Sequence, residues 1–345
     1  MKLNFCTLFN SNYLSRGLVM YQSLLKHCSN FHLYVYAFDD SCFEYLNSHN
    51  FEHLTVIPLK DFENNDLLRI KSQRTAGEYC WTCSSSTIHY SITKYNLNHC
   101  TYVDADLLFY SDPHVLIDEM RDNSVLITSH RYSQEYDQSS VSGKYCVQFI
   151  TFKNSKEGML VLNWWKNACI EWCYARVEDG KFGDQKYVDE FQSRFSGLCE
   201  LNHLGGGIAP WNVQQYSFDS INGKISGTEI KTNRKFEVVF FHFHGLKYYE
   251  KNIVGLTGEL YEINKSVRSI FYFPYISLLN NAKKTISEKI QNLDTNGNAG
   301  IAPYKPLNLF LLIRFYLSGV KHNMKNIFGQ QLKSRIAHHH FFYNK

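Results

Sequence analysis

Hydrophobic and polar positions follow two alternating rhythms along this chain, and their order predicts the fold. Leu3 to Phe9 is a short apolar-rich run that reads as a strand. It is broken by Asn10-Ser11-Asn12, a turn and helix-cap composition. Leu14, Leu18, Tyr21, Leu25 and Cys28 then recur at helical spacing. His32 to Phe38 is again β-rich and ends at Asp39-Asp40; after a further helix, Leu54 to Leu59 gives a third strand. Strand, helix, strand, helix, strand predicts parallel pairing through right-handed crossovers, an α/β fold with a mostly parallel sheet flanked by helices.

Such a sheet lines up its strand carboxyl ends along one edge, where open α/β sheets take ligands. Thr101 to Tyr110 reads as the central strand, an apolar run interrupted by Asp104 and Asp106. In extended backbone, residues i and i+2 point the same way, so both carboxylates could aim at one hard cation. The plain alternative is a solvated strand end. The loop from Thr7 to Tyr13 and the Asp39-Asp40 pair fall on the same edge, the convergence a nucleotide pocket requires; Asp39-Asp40 also reads as a turn and cap.

Further along, Arg69 to Ser86 is polar, and a helix follows through Ile88, Ile92 and Tyr95. Asp112-Pro113 starts another helix, and Ser124 to Thr128 and Cys146 to Phe152 read as strands. Between them, Tyr132 to Gly143 has the Ser, Gln and Asp content of a mobile surface loop near the site. Lys156 to Tyr174 predicts a helix with Met159, Leu162, Trp165, Cys169 and Trp172 on a core-facing side. Gly183-Asp184-Gln185-Lys186 opens a helix, with Asp184 as its cap on the simplest reading. Gly205 to Asn212 is a Gly-rich loop whose glycines would admit a ligand close to the backbone, although it is not a dinucleotide fingerprint. Phe236 to Phe241 delivers His242-Phe243-His244-Gly245-Leu246-Lys247, and Asn292 to Gly300 is linker-like.

Composition narrows the class. The 345 residues are 44% hydrophobic, 16% aromatic and 20% charged, enough for a large core in one α/β domain with an appendage. The expected division is an α/β domain over 1–250, with the nucleotide pocket at its sheet edge, and a helical, basic and aromatic region over 251–345. The formal charge of +4 is modest, and no nucleic-acid recognition motif appears, so nucleic acid is not an expected partner. The charge is uneven, however: after Asp294 there are no acids, and Tyr304 to Lys345 interleaves aromatics with lysine and arginine. That tail suits an anionic membrane surface, or else packs as helices on the domain. Met1 to Cys6 lacks signal-peptide form, which points to a cytoplasmic chain, peripheral to the membrane at most, with its ten cysteines reduced. Cys80-x-x-Cys83 and Cys169-x-x-x-Cys173 read as core packing ahead of zinc.

The candidate chemistry gathers around the central strand. Asp104 and Asp106 supply hard oxygen ligands, His242 an imidazole nitrogen, and Lys247 a phosphate partner. This donor set suits Mn²⁺ best and Mg²⁺ next. Such an ion would bridge the two phosphates of a nucleoside diphosphate and neutralise charge on the leaving phosphate.

In these motifs the sequence resembles metal-dependent glycosyltransferases of the GT-A fold, a Rossmann-like sheet architecture. It looks most like family-eight-type bacterial enzymes and the sugar transferases of surface-polysaccharide gene clusters. Phe5 to Leu14 resembles their first strand and nucleotide loop, Tyr102 to Phe109 their Asp-x-Asp metal motif, Gly183 to Lys186 their Asp-Gln element, and His242 to Lys247 their closing His-x-x-Gly motif. The likeness runs in order from Leu3 to Tyr248. It implies that Asp104, Asp106 and His242 bind the metal, with His244 the substitute for His242. It also implies that Lys247 and Asp104 touch the donor nucleotide, that Thr7, Asn10 and Tyr13 line the base and ribose pocket, and that Asp184 and Gln185 face the donor sugar and reacting centre. The implied partners are a nucleotide-diphosphate sugar, with UDP the expected nucleotide, and a saccharide or lipid-linked acceptor; the implied stereochemistry is retention. Two departures stand out: Tyr248-Tyr249 occupies the place of the usual Pro-Trp, and Cys146-Val147 that of an expected Asn. A sugar nucleotidyltransferase is disfavoured because Asn10 to Tyr13 is not the basic Gly-rich loop such enzymes use. A non-catalytic sugar-binding or membrane scaffold is the reading from another class.

Overall fold

Seven strands build the central sheet of the computed structural model, which describes residues 1–257 and 261–302 and the backbone of 341–343. In spatial order they are β3 (Leu54–Pro58), β2 (Phe31–Ala37), β1 (Leu3–Phe9), β4 (His99–Val103), β7 (Tyr145–Lys153), β6 (Val125–Ser129) and β8 (Leu198–Glu200). The β3–β2, β2–β1 and β1–β4 pairs are parallel, as the strand–helix rhythm predicts; β6–β8 is parallel too, through a short strand that the sequence did not suggest. Strand β7 runs antiparallel to both β4 and β6. The stretch between β6 and β7 holds only short helical turns, and a parallel return would need a full crossover element.

The helices are α1 (Leu14–His27), α2 (Asp40–Asn47), α3 (Leu59–Phe62), α4 (Asn65–Lys71), α5 (Ala76–Tyr95), α6 (His114–Ile117), α7 (Ser139–Ser142), α8 (Lys156–Glu171), α9 (Phe191–Arg194), α10 (Lys265–Val267) and α11 (Phe273–Ser287). Alternation along β1 sends Phe5 and Phe9 into one core with Leu14, Leu18 and Leu24 of α1. Cys6 and Leu8 point the other way, into a core with Ile88 and Ile92 of α5 and Trp165 of α8. Each face of the sheet is thereby covered.

Helix α5 starts inside the stretch whose polarity suggested no element. Thr75 caps it, accepting from the Glu78 amide while Glu78 reaches back to the Thr75 N–H. Its buried Ser84, Ser85, Ser86 and Ser91 are small, so the helix lies close to β1 and β4 without an apolar stripe. Helix α8 ends at Glu171; Trp165 and Cys169 are core, whereas Trp172 is in extended backbone beyond the helix.

A second layer joins distant parts of the chain. Strand β5 (Leu107–Phe109) leaves the main sheet and pairs antiparallel with β12 (Phe240–His242). Strands β9 (Tyr216–Ile221), β10 (Lys224–Glu229) and β11 (Lys235–Glu237) form an antiparallel meander. Strand β13 (Lys247–Tyr249) pairs with β14 (Ile253–Gly255), and β14 with the backbone of β15 (Phe341–Tyr343). A third core unites Val19 of α1 and Leu108 of β5 with Phe271, Tyr272, Tyr275 and Leu279.

The segment read as a linker is packed against the sheet domain. Thr295 and Asn296 are buried, the Ser15 N–H donates to the Thr295 carbonyl at 3.2 Å, and Arg16 Nη1 donates to the Asn296 carbonyl at 2.9 Å. The small polar composition of a linker serves here to close a turn, because Asp294 accepts from the amides of Asn296 and Gly297 at 3.1 Å. The basic tail from Tyr304 lies outside the described residues, apart from the backbone of β15. Among the described residues no helix is long and apolar enough to cross a membrane.

Candidate active site

Strand β4 runs out at Val103, at the carboxyl edge of the sheet, and Asp104 follows at once. The Asp104 N–H donates to the Gln148 carbonyl of neighbouring β7 at 3.1 Å, which fixes where the chain leaves the sheet. Asp104 to Asp106 is a turn between β4 and β5, closed by the Leu107 N–H on the Asp104 carbonyl at 3.3 Å. The carboxylates therefore converge through a turn, not through the pleat of a continuing strand. The β5–β12 register sets His242 opposite Leu107, and the Phe243 N–H donates to the Asp106 carbonyl at 3.0 Å.

That pairing brings the three side chains together. His242 Nε2 lies 3.2 Å from Asp106 Oδ1 and 3.7 Å from Asp104 Oδ2. Their ligand atoms all fall within 4.8 Å of one another. His242 Nδ1 lies 2.6 Å from the side-chain oxygen of Gln148, so Nδ1 carries the hydrogen and Nε2 faces the carboxylates. The His242 side chain is 4% exposed and that of Asp104 is 31%, so the cluster is open on its Asp104 side.

Burial and mutual charge set the protonation. Burial raises Asp104 to about 6, the Asp106 charge adding to it and His242 opposing. Burial acts the same way on Asp106, but the charge and hydrogen bond of His242, with His244 and Arg16 behind, hold it at about 2. Burial alone would lower His242; the two carboxylates override it and raise it well above the usual imidazole range. His244 keeps an exposed surface although neighbouring chain crowds its ring; that desolvation, with the His242 charge adding, lowers it to about 4. Two carboxylates and an imidazole within reach of one point fit a hard divalent ion, with Asp104, Asp106 and His242 as its holders.

Asp184 stands behind Asp104. Its carboxylate takes the Ser84 hydroxyl at 2.5 Å, and Trp165 Nε1 donates to its backbone carbonyl at 2.8 Å. Burial, with the Asp104 charge adding, raises it to about 7. Gln185 points to the neighbouring loop, where its Nε2 donates to the Ser142 carbonyl at 2.8 Å. Tyr13 is 40% exposed; burial and the charges of Asp106 and Asp104 raise its phenol, although Arg16 sits 4.4 Å over the ring. Asn10 is half-buried, and Thr7 is fully buried in β1 with a hydroxyl that meets no partner among the described residues. Lys247 is exposed in β13, and its charge contributes to lowering His244. Asp39 acts as a cap and a brace, accepting from the Cys42 N–H at 2.7 Å and the Ser11 N–H at 2.8 Å.

Four side chains join the site that the motifs did not single out. Gln148 orients His242, and its only sequence signal is one amide inside an apolar β run. Arg16 is buried and ties Asn296, Leu246 and Asn12 together through their carbonyls. Ser84 holds Asp184. Trp211 packs its ring 5.4 Å from His242 and 5.5 Å from His244, and donates to the His130 carbonyl at 2.9 Å. The glycines before Trp211 are accounted for by the protein itself. A Cβ on Gly205 would collide with the Glu237 carbonyl, and Gly207, at φ +93°, lies against Arg131 and Gln148. They admit neighbouring chain, where the sequence suggested a ligand.

A second group, Cys28, Asp112 and His114, also lies close together. There His114 Nδ1 is 2.7 Å from Asp112 and Nε2 is 2.9 Å from the Met1 carbonyl. Burial raises the Cys28 thiol to about 11, so the third member of this group keeps its proton.

No protein-family model matches the sequence. Two Bacillus subtilis (strain 168) proteins, the uncharacterized YfnD and YfnF, are similar to it. YfnD is 29% identical over 292 residues, covering 83% of this chain and 90% of its own. YfnF is 28% identical over 305 residues, covering 85% and 96%. Among solved structures, the galactosyltransferase LgtC in complex with donor and acceptor sugar analogs matches 81% of this chain and 96% of its own at TM-score 0.49 and 11% identity. Mouse xyloside xylosyltransferase 1 covers 71% and 98% at TM-score 0.44 and 11% identity. GlyE of Streptococcus pneumoniae TIGR4 covers 59% and 47% at TM-score 0.38 and 16% identity. All three are glycosyltransferases.

Proposed function

We propose that this protein is a metal-dependent glycosyltransferase. It moves a sugar from a nucleoside-diphosphate sugar, with UDP the expected nucleotide, to a saccharide or lipid-linked saccharide in surface-polysaccharide synthesis. One observation carries the reading: Asp104, Asp106 and His242 meet with ligand atoms within 4.8 Å at the carboxyl edge of the sheet, with Asp184 behind them. A bound divalent ion, Mn²⁺ first and Mg²⁺ second, would neutralise the charge that gathers on the leaving diphosphate.

The chain's own groups divide the remaining work. Asp106, held ionised, and Asp104, on the open side of the cluster, would hold the ion. His242, oriented by Gln148, would offer Nε2 to that ion in its neutral form. Lys247 reaches the diphosphate, and Asn10 and Tyr13, with Thr7 beneath them, line the base and ribose. Asp184 anchors a donor-sugar hydroxyl, and Gln185 stands beside the reacting carbon. In the retaining course the sugar C1–O bond to the diphosphate breaks. The acceptor hydroxyl attacks the same face, and its proton passes to the leaving phosphate oxygen. The acid-free tail supports work at the inner face of a membrane.

The test is UDP release from a panel of UDP-sugars with Mn²⁺ and with excess chelator, for wild type and Asp106→Asn. Chelator and the substitution should each lower the rate by about a hundredfold or more, with the circular-dichroism spectrum unchanged. A full rate in chelator would end the proposal.

A further inference from the structure

Apart from the carboxylate cluster, a cavity of about 650 Å³ opens between β13, the carboxyl half of α11 and the Asp294–Gly300 turn. Its wall is rich in amides: Asn280, Asn292, Asn296 and Asn298 all line it. Asn296 is the unusual member. The residue is 2% exposed, yet neither its side-chain oxygen nor its nitrogen has a partner among the described residues. A buried amide left unpaired is costly, so a polar occupant is expected to complete it.

The charge around the cavity is also lopsided. Lys251, Lys283 and Lys284 line it, and none forms an ion pair among the described residues. Of the two acids present, Asp294 is engaged by backbone N–H groups, which leaves Glu250 against three ammonium groups. Tyr248 adds a ring, and its hydroxyl donates to Asn280 Oδ1 at 3.2 Å, which leaves the Asn280 amide hydrogens available to an occupant. Planar amides beside an aromatic ring match vicinal hydroxyls, and the lysines match a negative group.

We propose that this cavity is a separate recognition site for a sugar bearing an anionic group, with Asn296 at its floor and the lysines at its mouth. The Asn296 carbonyl is gripped by Arg16, which also holds the Leu246 carbonyl within His242-to-Lys247. An occupant would therefore press on the closing loop of the carboxylate cluster.

The site needs neither metal nor nucleotide, so it can fail while the glycosyltransferase reading survives, and the reverse. Calorimetric titration of the full chain with D-glucuronate and D-galacturonate should give binding near about 1 mM for at least one. D-glucose and sulfate should each bind about tenfold more weakly or worse, because each lacks half of the recognised chemistry. The exposed pair Lys283→Met/Lys284→Met should weaken uronate binding about tenfold while thermal stability stays put. Asn296→Leu should abolish it, and Asp106→Asn should leave it unchanged. The proposal is overturned if no uronate binds wild type, if sulfate binds as tightly as a uronate, or if the lysine pair makes no difference.

Discussion

Gln148 is the residue whose change isolates the Asp104–Asp106–His242 cluster from the rest of the site. It touches no proposed substrate atom; it fixes the ring of His242 through a 2.6 Å contact at Nδ1. Removing such an orienting partner costs about tenfold or more in metal affinity. Gln148→Leu should weaken Mn²⁺ binding by that factor while leaving nucleotide binding without metal unchanged; equal Mn²⁺ affinity would assign His242 another role. Asp184 carries a pH signature. Burial raises it to about 7, whereas an unfolded aspartate titrates near about 3.9. The folded protein holds the proton between those values. Its contribution to stability is therefore complete below the unfolded value and lost as pH rises through the folded one. Across that window the wild type should lose roughly 4 kcal/mol that Asp184→Asn does not lose. Urea unfolding of both proteins at several pH values reads the difference, and parallel curves would refute it. At this scale the sequence was legible where a motif names its residue, as with Asp104 and Asp106. It was silent on Gln148, whose importance comes from a neighbour 94 positions away.

Elements were legible where burial follows a simple period. Strand β1 and helix α1 alternate apolar positions in the expected way, and both form. Helix α5 was read too short, because buried serines stand where an apolar stripe would be sought. Strand β7 was read as a strand but its direction was not, since direction is decided by the connection and not by the run itself. Packing between elements is also tight at one point that composition hides. A Cβ on Gly17 of α1 would run into the ring of Phe9 at the end of β1. Gly17→Ala should lower stability by about 1–3 kcal/mol even though alanine is the better helix former. A thermal melt checks this; an unchanged or higher melting temperature would mean that the Phe9 ring moves aside freely.

Over the whole molecule, the sheet and its covering helices followed from the order of strands and helices. The second layer did not, because β5 pairs with β12 across more than a hundred intervening residues and neither run announces its partner. The third core extends this dependence past Tyr249, since Tyr272 and Tyr275 are fully buried in contact with the rest. A chain ending at Gly255 should therefore expose that core and fail to give a monodisperse peak in size-exclusion chromatography. A stable, two-state-folding fragment would show that the sheet stands without it.

The β5–β12 pairing also sets when the carboxylate cluster can exist. Asp104 and Asp106 leave the ribosome long before His242 is made, and closing so wide a loop is slow and entropically costly. A nascent chain halted before Phe240 would carry both aspartates and still lack the imidazole and the strand that positions it. On the proposed function, Mn²⁺ capture would be a clock for synthesis: in stalled chains of increasing length, capture should switch on abruptly only after β12 has emerged.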